Sequence, residues 1–364
     1  MTEFAKPLRI AEEIVMVDGL WRSGKAILGP VLGCFERVER QRLEHVYEYL
    51  CTMHMNGKID TAAAVTLMRI FSDLAVYNTM ISREANLRFF DETGLFNNPG
   101  SLKYIARLFR DDGDAVMERI KSERPILQLM THMIFPGVDL AFKAFGKRLK
   151  VIEMARHPLY MIEGWHGYID RCGSDPREFT LWIEHAGKRM PWFASGWEER
   201  FMSLGKVDRV IHSIKWFMDR SDEVMNALGP AERAQVLVIP FERFVIDPYP
   251  YLVEIESFLG TRATPAVEKA LRRQKCPRKH ISEGRAHSRW GGKPPQMDDI
   301  DDYRRRARFV GDNASGEALD ALEEMSLRYE ERFGLKRQSP WNLVRGSSLA
   351  EAAPVRMNLG GSKG

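Results

Sequence analysis

Residues 14–28 of the chain, IVMVDGLWRSGKAIL, decide the fold. The first four are apolar and predict a buried β-strand, after which Gly19 and Gly24 bound a short turn that opens a helix. Such a turn points several backbone N–H groups at one place, where phosphate binds. Lys25 and Arg22 add cations for its oxygens. The stretch predicts a phosphate site, and a tight turn with incidental basic residues is the alternative.

The position after Lys25 separates two kinds of phosphate site. In P-loop kinases and NTPases a Ser or Thr hydroxyl at that position ligates magnesium. Here the residue is Ala26, which has no hydroxyl. The sequence therefore favours phosphate recognition without magnesium, and a magnesium- and ATP-dependent P-loop kinase of small molecules stays as the alternative.

The composition is that of a soluble globular protein. The 364 residues are 44% hydrophobic and 29% charged, enough for one large core or two smaller ones. A net charge of +4 is too balanced for a duplex nucleic-acid binder. The four cysteines are far apart, which argues against a zinc site or a disulfide framework. With no signal peptide and no apolar run of about 20 residues, we expect a cytoplasmic protein without a transmembrane segment.

Three further apolar runs predict strands of the same sheet. They lie at 125–130, 151–154 and 236–239, and each is followed by turn residues and helix-like spacing. This alternation predicts an α/β fold, in which a P-loop-type parallel sheet is flanked by helices. A helical insertion of about 33–122 is expected between the first and second strands.

The expected domain organisation is simple. Residues 1–337 are predicted to form a single α/β domain, and the Ser-, Gly- and Ala-rich residues 338–364 a flexible C-terminal tail.

A second anion site is predicted where the strand at 151–154 ends. The next residues are Arg156, His157 and Pro158, and Pro158 fits the first turn of a helix, where its missing N–H costs nothing. Arg156 would then lie at the carboxyl end of a strand, beside the crevice where open α/β sheets bind ligands. When Arg156 is considered alone, an ordinary surface arginine at a strand end is an equally good interpretation.

Together these segments resemble the sulfotransferase family, whose sulfuryl donor is 3′-phosphoadenosine-5′-phosphosulfate. WRSGKA at 21–26 resembles the family's loop for the 5′-phosphosulfate, and RHPLYMIEG at 156–164 resembles its 3′-phosphate segment. Three more segments follow in the family's order: MTHMIFPG, VIHSIKWF and VLVIPFERFVIDPYPYLVEIESFLG. The resemblance covers roughly residues 14–30 and 125–290.

The resemblance implies a set of donor-binding residues, which are Arg22, Ser23, Gly24, Lys25, Ala26, Arg156, Gly164, Arg278 and Lys279. Several of them depart from the family's pattern. Lys25 and Ala26 replace a pair of threonines, Gly164 replaces a serine, and Met130 replaces the lysine before Thr131 and His132. A basic stretch ending at Trp290 could close over the nucleotide as a lid.

The implied reaction is sulfuryl transfer to a hydroxyl or amino acceptor by in-line attack, with no metal. His132 is the candidate base, since imidazole titrates near neutral pH. Arg22 and Lys25 would stabilise the leaving phosphate, and Arg156 would orient the donor. A structural role for His132 is the alternative. Besides the sulfotransferase and the kinase, a third hypothesis is a non-catalytic protein that keeps the fold for binding a partner.

Overall fold

The structure of the chain, a computed structural model, describes residues 4–89, 91, 94–98, 100–169, 174–176, 178–283 and 297–335. The described residues belong to two compact units. The first lies within Met1–Arg156 and Asp219–Pro294, and the second within His157–Met218 and Pro295–Gly364. The single domain over 1–337 stays a prediction. The predicted tail at 338–364 lies outside the described residues.

Seven strands are present in the described chain. Five of them form a parallel sheet in the first unit, and the other two form an antiparallel hairpin in the second. In chain order the strands are β1 Glu13–Asp18, β2 Arg42–Leu43, β3 Ile126–Met130, β4 Leu149–Ala155, β5 Trp182–His185, β6 Lys188–Pro191 and β7 Val236–Pro240.

The order of the parallel sheet is β2–β3–β1–β4–β7. The predicted α/β fold and the four predicted strands are confirmed. Because β1 pairs with β3 on one side and with β4 on the other, the chain leaves β1 at the point where the strand order reverses. In open α/β sheets this is the crevice that binds ligands.

Helices cover both faces of the sheet, as the continuous apolar runs require. Successive residues of a strand point to opposite faces, so Ile14 and Met16 join one core and Val15 and Val17 the other. All four are essentially inaccessible to water. Burying each of them contributes on the order of 1.5–3 kcal/mol, which fixes the position of β1 within the sheet.

The helices of the first unit are α1 Leu28–Leu32, α2 His45–Met55, α3 Thr61–Met80, α4 Ser101–Arg107, α5 Asp114–Glu123, α6 Asp139–Phe145, α10 Pro230–Arg233, α11 Phe241–Ile246, α12 Tyr249–Leu259 and α13 Ala266–Arg273. Those of the second unit, with α9 assigned to it by its longer part, are α7 Leu159–Ile169, α8 Glu198–Ser203, α9 Lys206–Ala227, α14 Asp299–Asn313 and α15 Gly316–Arg332. Single 3-10 turns lie at Lys25–Ile27, Leu95–Asn97, Phe135–Gly137, Gly146–Arg148 and Trp192–Ala194. No helix in the described ranges combines the length and apolar character needed to cross a membrane.

The predicted insertion is helical, and α2 to α5 form most of it. It also contains β2, which sequence periodicity missed because a two-residue strand has too few positions to show alternation. β2 pairs with the end of β3 through Leu43 and Met130. Since α2 begins two residues after Leu43, its first turn lies next to the loop that follows β3.

Tryptophan and phenylalanine form the core of the second unit. Trp165 is fully buried, and its ring lies 5.8 Å from that of Phe193 and 5.9 Å from that of Phe217. Trp192 packs edge-on against Phe217 at 5.5 Å. These rings contact one another, so the tryptophans at 165 and 192 anchor their segments to the core of this unit.

Candidate functional site

The loop after β1 adopts the backbone geometry that the glycines suggested. Gly19 has φ 148° and Gly24 has φ 89°, and between them Arg22 has φ 66°. A side chain built at Gly19 would clash with Ser23 Oγ and with the carbonyl oxygen of Met154. The loop therefore lies tightly against the end of β4. The helix that follows is one 3-10 turn and the five-residue α1, so its dipole is weaker than the sequence implied.

Phe241 packs directly on the loop. A methyl group at Gly24 would overlap the Phe241 ring. On this ring lie two guanidinium groups, that of Arg156 at 4.3 Å and that of Arg278 at 5.5 Å from its centroid. One aromatic ring thus connects the loop after β1, the end of β4 and the segment after α13.

Replacing Gly24 with alanine is expected to destabilise the first unit by about 2–4 kcal/mol, because left-handed strain adds to the overlap with Phe241. Gly57 is a matched control, since its φ is 65° and no atom lies within 4 Å of a methyl group built there. Gly57→Ala should cost only the strain, about 1 kcal/mol. Urea unfolding of both variants measures the difference. If both variants lose the same free energy of unfolding, the contact between Phe241 and Gly24 contributes nothing to stability.

Arg22 and Arg156 meet at the carboxyl edge of the sheet. Arg156 Nη1 donates a hydrogen bond of 2.7 Å to the carbonyl oxygen of Arg22. Arg22 is exposed and Arg156 is half-buried. The two arginines predicted to bind anions are therefore close together, because β1 and β4 are neighbouring parallel strands that end at the same edge of the sheet.

Lys25 points into the protein. It is buried, and its Nζ donates a hydrogen bond to the carbonyl oxygen of Gly19. Burial lowers the pKa of Lys25, while the charges of Asp18, Glu48 and Glu153 act in the opposite direction. In this conformation the hydrogen bond from Lys25 stabilises the loop after β1 from its buried side. Its predicted contact with a phosphate stays a prediction.

Asp18 connects the loop after β1 to the loop after β3. One carboxylate oxygen accepts a hydrogen bond of 3.0 Å from the Thr131 hydroxyl, and the other accepts backbone N–H bonds of 2.9 Å from Ile134 and 3.1 Å from Phe135. Met133 N–H in turn donates to Gly19. These bonds hold His132 at the same edge of the sheet as the arginine pair.

Two residues of α2 surround His132. Glu48 Oε1 accepts hydrogen bonds of 2.8 Å from both the backbone N–H and the Nδ1 atom of His132. Glu48 Oε2 lies 3.2 Å from His45 Nδ1, and the rings of His45 and His132 are stacked with centroids 5.9 Å apart. Because Glu48 faces Nδ1 of His132, it favours the tautomer whose Nε2 is the free base.

The electrostatics of this group follow from its burial and its hydrogen bonds. Burial raises the pKa of Glu48, but the hydrogen bonds from His132 and His45 outweigh it and bring the pKa to about 2. Burial and the charge of Lys25 lower the pKa of His132, and Glu48 opposes them. His132 is consequently neutral, and Glu48 ionised, at neutral pH.

The remaining predicted donor contacts divide into three groups. Ser23 is buried in the loop, and its Oγ has no hydrogen-bond partner within the described ranges, while Ala26 is exposed. Arg278 is buried and donates to the carbonyl oxygens of Ile281 and Gln274, and its neighbour Lys279 is exposed. Gly164 lies in α7, in the second unit. The predicted lid residue Trp290 lies outside the described residues.

No sequence motif singled out Asp18, Glu48 or His45. Asp18 carried a signal, since an acid directly after an apolar strand is costly unless it is hydrogen-bonded. His45 and Glu48 are three positions apart, a spacing that places both on one face of a helix. Neither signal indicates the partner in the loop after β3.

Comparison with solved structures finds sulfotransferases. The sulfotransferase domain of the Synechococcus PCC 7002 olefin synthase is 14% identical, covering 93% of this chain and 100% of that one, with a TM-score of 0.44. STF9 from Mycobacterium avium is 13% identical, covering 91% of this chain and 79% of that one, with a TM-score of 0.40. Mouse SULT7A1 complexed with PAP is also 13% identical, covering 90% of this chain and 89% of that one, with a TM-score of 0.38. Neither a protein-family model nor a curated protein matches the sequence. These structures belong to the family that the motifs resemble, but likenesses this distant carry no activity, donor or acceptor to this chain.

Proposed function

We propose that this chain transfers a sulfuryl group from 3′-phosphoadenosine-5′-phosphosulfate to a hydroxyl or amino acceptor. One observation supports the proposal above all others. Arg156 donates a hydrogen bond of 2.7 Å to the backbone carbonyl of Arg22, which brings together the ends of two strands that each carry an arginine. A donor with phosphate groups at both its 3′ and 5′ positions needs two such cations a short distance apart.

The loop has features that fit a phosphate-bearing substrate. Gly19 and Gly24 allow the backbone to approach a ligand closely, and the buried Ser23 hydroxyl has no protein partner among the described residues. Arg22 is exposed and keeps its charge over the whole working pH range. In this proposal Arg22, with Lys25 beneath it, stabilises the charge on the leaving phosphate oxygen. Arg156 and Arg278 hold the other end of the donor.

His132 acts as the base. The acceptor oxygen or nitrogen attacks sulfur in line, the bond between sulfur and the phosphate oxygen breaks, and the acceptor proton passes to Nε2 of His132. Adenosine 3′,5′-bisphosphate leaves. Glu48 holds the proton on Nδ1 and stabilises the imidazolium that forms, as a carboxylate does beside a catalytic histidine.

The kinase alternative has less support. Ala26 is exposed but carries no hydroxyl for magnesium. No specific observation among the described residues favours magnesium-dependent phosphoryl transfer.

A thermal-shift experiment on the full chain tests the proposal. Adenosine 3′,5′-bisphosphate should raise the melting temperature in the presence of a chelator. Adenosine 5′-monophosphate, which lacks the 3′-phosphate, should raise it less. A shift by ATP that requires magnesium would support the kinase reading, and the absence of any shift by the bisphosphate would contradict the proposal. Mass spectrometry of candidate acceptors would then detect the transferred sulfuryl group.

The pH profile of turnover tests the base and its partner. Because the pKa of His132 is lowered, the acidic limb of kcat/KM should fall below the usual histidine value of 6.5. Glu48 raises this pKa, so Glu48→Gln should move the limb to still lower pH and reduce kcat by about 10–100-fold. A purely structural role for Glu48 would lower activity without moving the limb. The assay contains a chelator throughout.

A further inference from the structure

Two imidazoles and a carboxylate converge beside the loop after β3. They are His45 and Glu48 of α2 and His132, and one ligand atom of each lies within 4.8 Å of the other two. The cluster is only partly covered, since the side chains of His45, Glu48 and His132 are 34%, 15% and 24% exposed. An ion from solvent can therefore reach them.

The spacing of these atoms is that of a metal coordination shell. His132 Nδ1 lies 2.8 Å from Glu48 Oε1, and His45 Nδ1 lies 3.2 Å from Glu48 Oε2. Around a tetrahedral Zn²⁺ with bonds of about 2.0–2.1 Å, neighbouring ligand atoms lie about 3.3 Å apart. With one ligand atom of each residue within 4.8 Å of the other two, the three side chains are close enough to reach that spacing around one ion. The stacked rings, inclined by 14°, already direct both Nδ1 atoms toward the carboxylate.

The geometry points to a Zn²⁺ site formed by His45, Glu48 and His132, in which bound metal blocks the base. Two imidazole nitrogens and one carboxylate form a donor set that suits Zn²⁺ and leaves a fourth position open. Asp18 and Lys25 lie close enough to act on Glu48 with opposite charges.

Metal binding changes which nitrogen of His132 holds the proton. Without metal, Nδ1–H faces Glu48 and the Nε2 lone pair is available. When Zn²⁺ takes the Nδ1 lone pair, the one proton of the neutral ring lies on Nε2, and the ring accepts no further proton. This inhibitory step rests on the proposed function. Zn²⁺ binding itself does not depend on it.

Calorimetry with Zn²⁺ on the metal-free full chain tests the site directly, and Co²⁺ absorption reports the coordination geometry. We expect one ion per chain, with affinity reduced at least about 100-fold in His45→Ala and in Glu48→Gln. His54→Ala is the matched control, because His54 lies on the same helix and bonds Thr61 instead. Its affinity should equal that of the wild type. Circular dichroism confirms that each variant is folded.

Two results would overturn the metal site. One is the absence of stoichiometric Zn²⁺ binding by the wild type, and the other is equal binding by the folded His45→Ala variant. If sulfuryl transfer is detected, Zn²⁺ should inhibit it, a chelator should restore it, and His45→Ala should be resistant. Should the chain bind Zn²⁺ but transfer no sulfuryl group, the site would stand while the proposed function would fail.

Discussion

Replacing Arg156 with alanine should weaken the binding of adenosine 3′,5′-bisphosphate at least about 100-fold. A guanidinium can donate two charge-assisted hydrogen bonds to one phosphate, each contributing about 1.5–3 kcal/mol, and 1.4 kcal/mol corresponds to a tenfold change in affinity. The substitution also removes the bond to the Arg22 carbonyl and the packing on Phe241, which together hold the loop after β1. Isothermal titration in a chelator measures the loss.

A matched arginine at the other end of the sheet controls for general effects of charge. Arg37 forms two hydrogen bonds of 2.6 Å to Glu13, the first residue of β1. Arg37→Ala also removes one positive charge from the first unit, yet it should leave nucleotide affinity unchanged. Arg156→Lys keeps the charge but loses the bidentate geometry, so its affinity should be intermediate. Unchanged binding by a folded Arg156→Ala variant would be incompatible with the proposed donor site.

The sheet was predictable because its signal is local. β1 and β3 are buried on both faces, and β4 and β7 are buried or half-buried at every position, so each contains a short run of mostly apolar residues. The adjacency of Arg22 and Arg156 followed from the same pattern, since both come after strands of one parallel sheet. β2 was missed because two residues carry no periodicity.

The direction of a side chain at the loop was not predictable in this way. The motif placed Lys25 toward a phosphate, whereas in the structure it is buried and donates to Gly19. In that position burial lowers the pKa of Lys25, and the charges of Asp18, Glu48 and Glu153 around it oppose the change. Spacing along the chain indicates which residues share a turn, but the balance between burial and neighbouring charges is a property of the folded state.

The surroundings of His132 depend on tertiary contacts. Glu48 lies 84 positions away in the sequence, and the two meet because α2 starts next to the end of β3. The sequence predicted His132 as a candidate base, with a structural histidine as the alternative, but it indicated no partner for the imidazole. In the structure Glu48 lies 2.8 Å from Nδ1 of His132, and the imidazole of His45 is stacked on its ring. This arrangement is compatible with both base catalysis and metal binding.

Replacing His132 with alanine should lower kcat by about 10²–10⁴-fold, the usual contribution of a general base. Affinity for adenosine 3′,5′-bisphosphate should remain unchanged. The variant keeps the backbone N–H of residue 132, which donates a hydrogen bond to Glu48, and it leaves the arginines in place. Single-turnover kinetics measure the chemical step, and calorimetry measures the nucleotide. His54→Ala, which removes an imidazole from α2 outside the cluster, should change neither quantity.

Added imidazole distinguishes a lost base from a disturbed fold. It should restore part of the turnover of His132→Ala, since a free base can occupy the space of the missing ring, but it should restore none in Arg156→Ala, where donor binding is lost. Full activity in His132→Ala would show that another group takes the proton. A wild-type chain that binds the bisphosphate tightly but transfers no sulfuryl group to any acceptor would favour the hypothesis of a non-catalytic protein. Binding of the nucleotide requires the arginine pair, whereas it does not require a base.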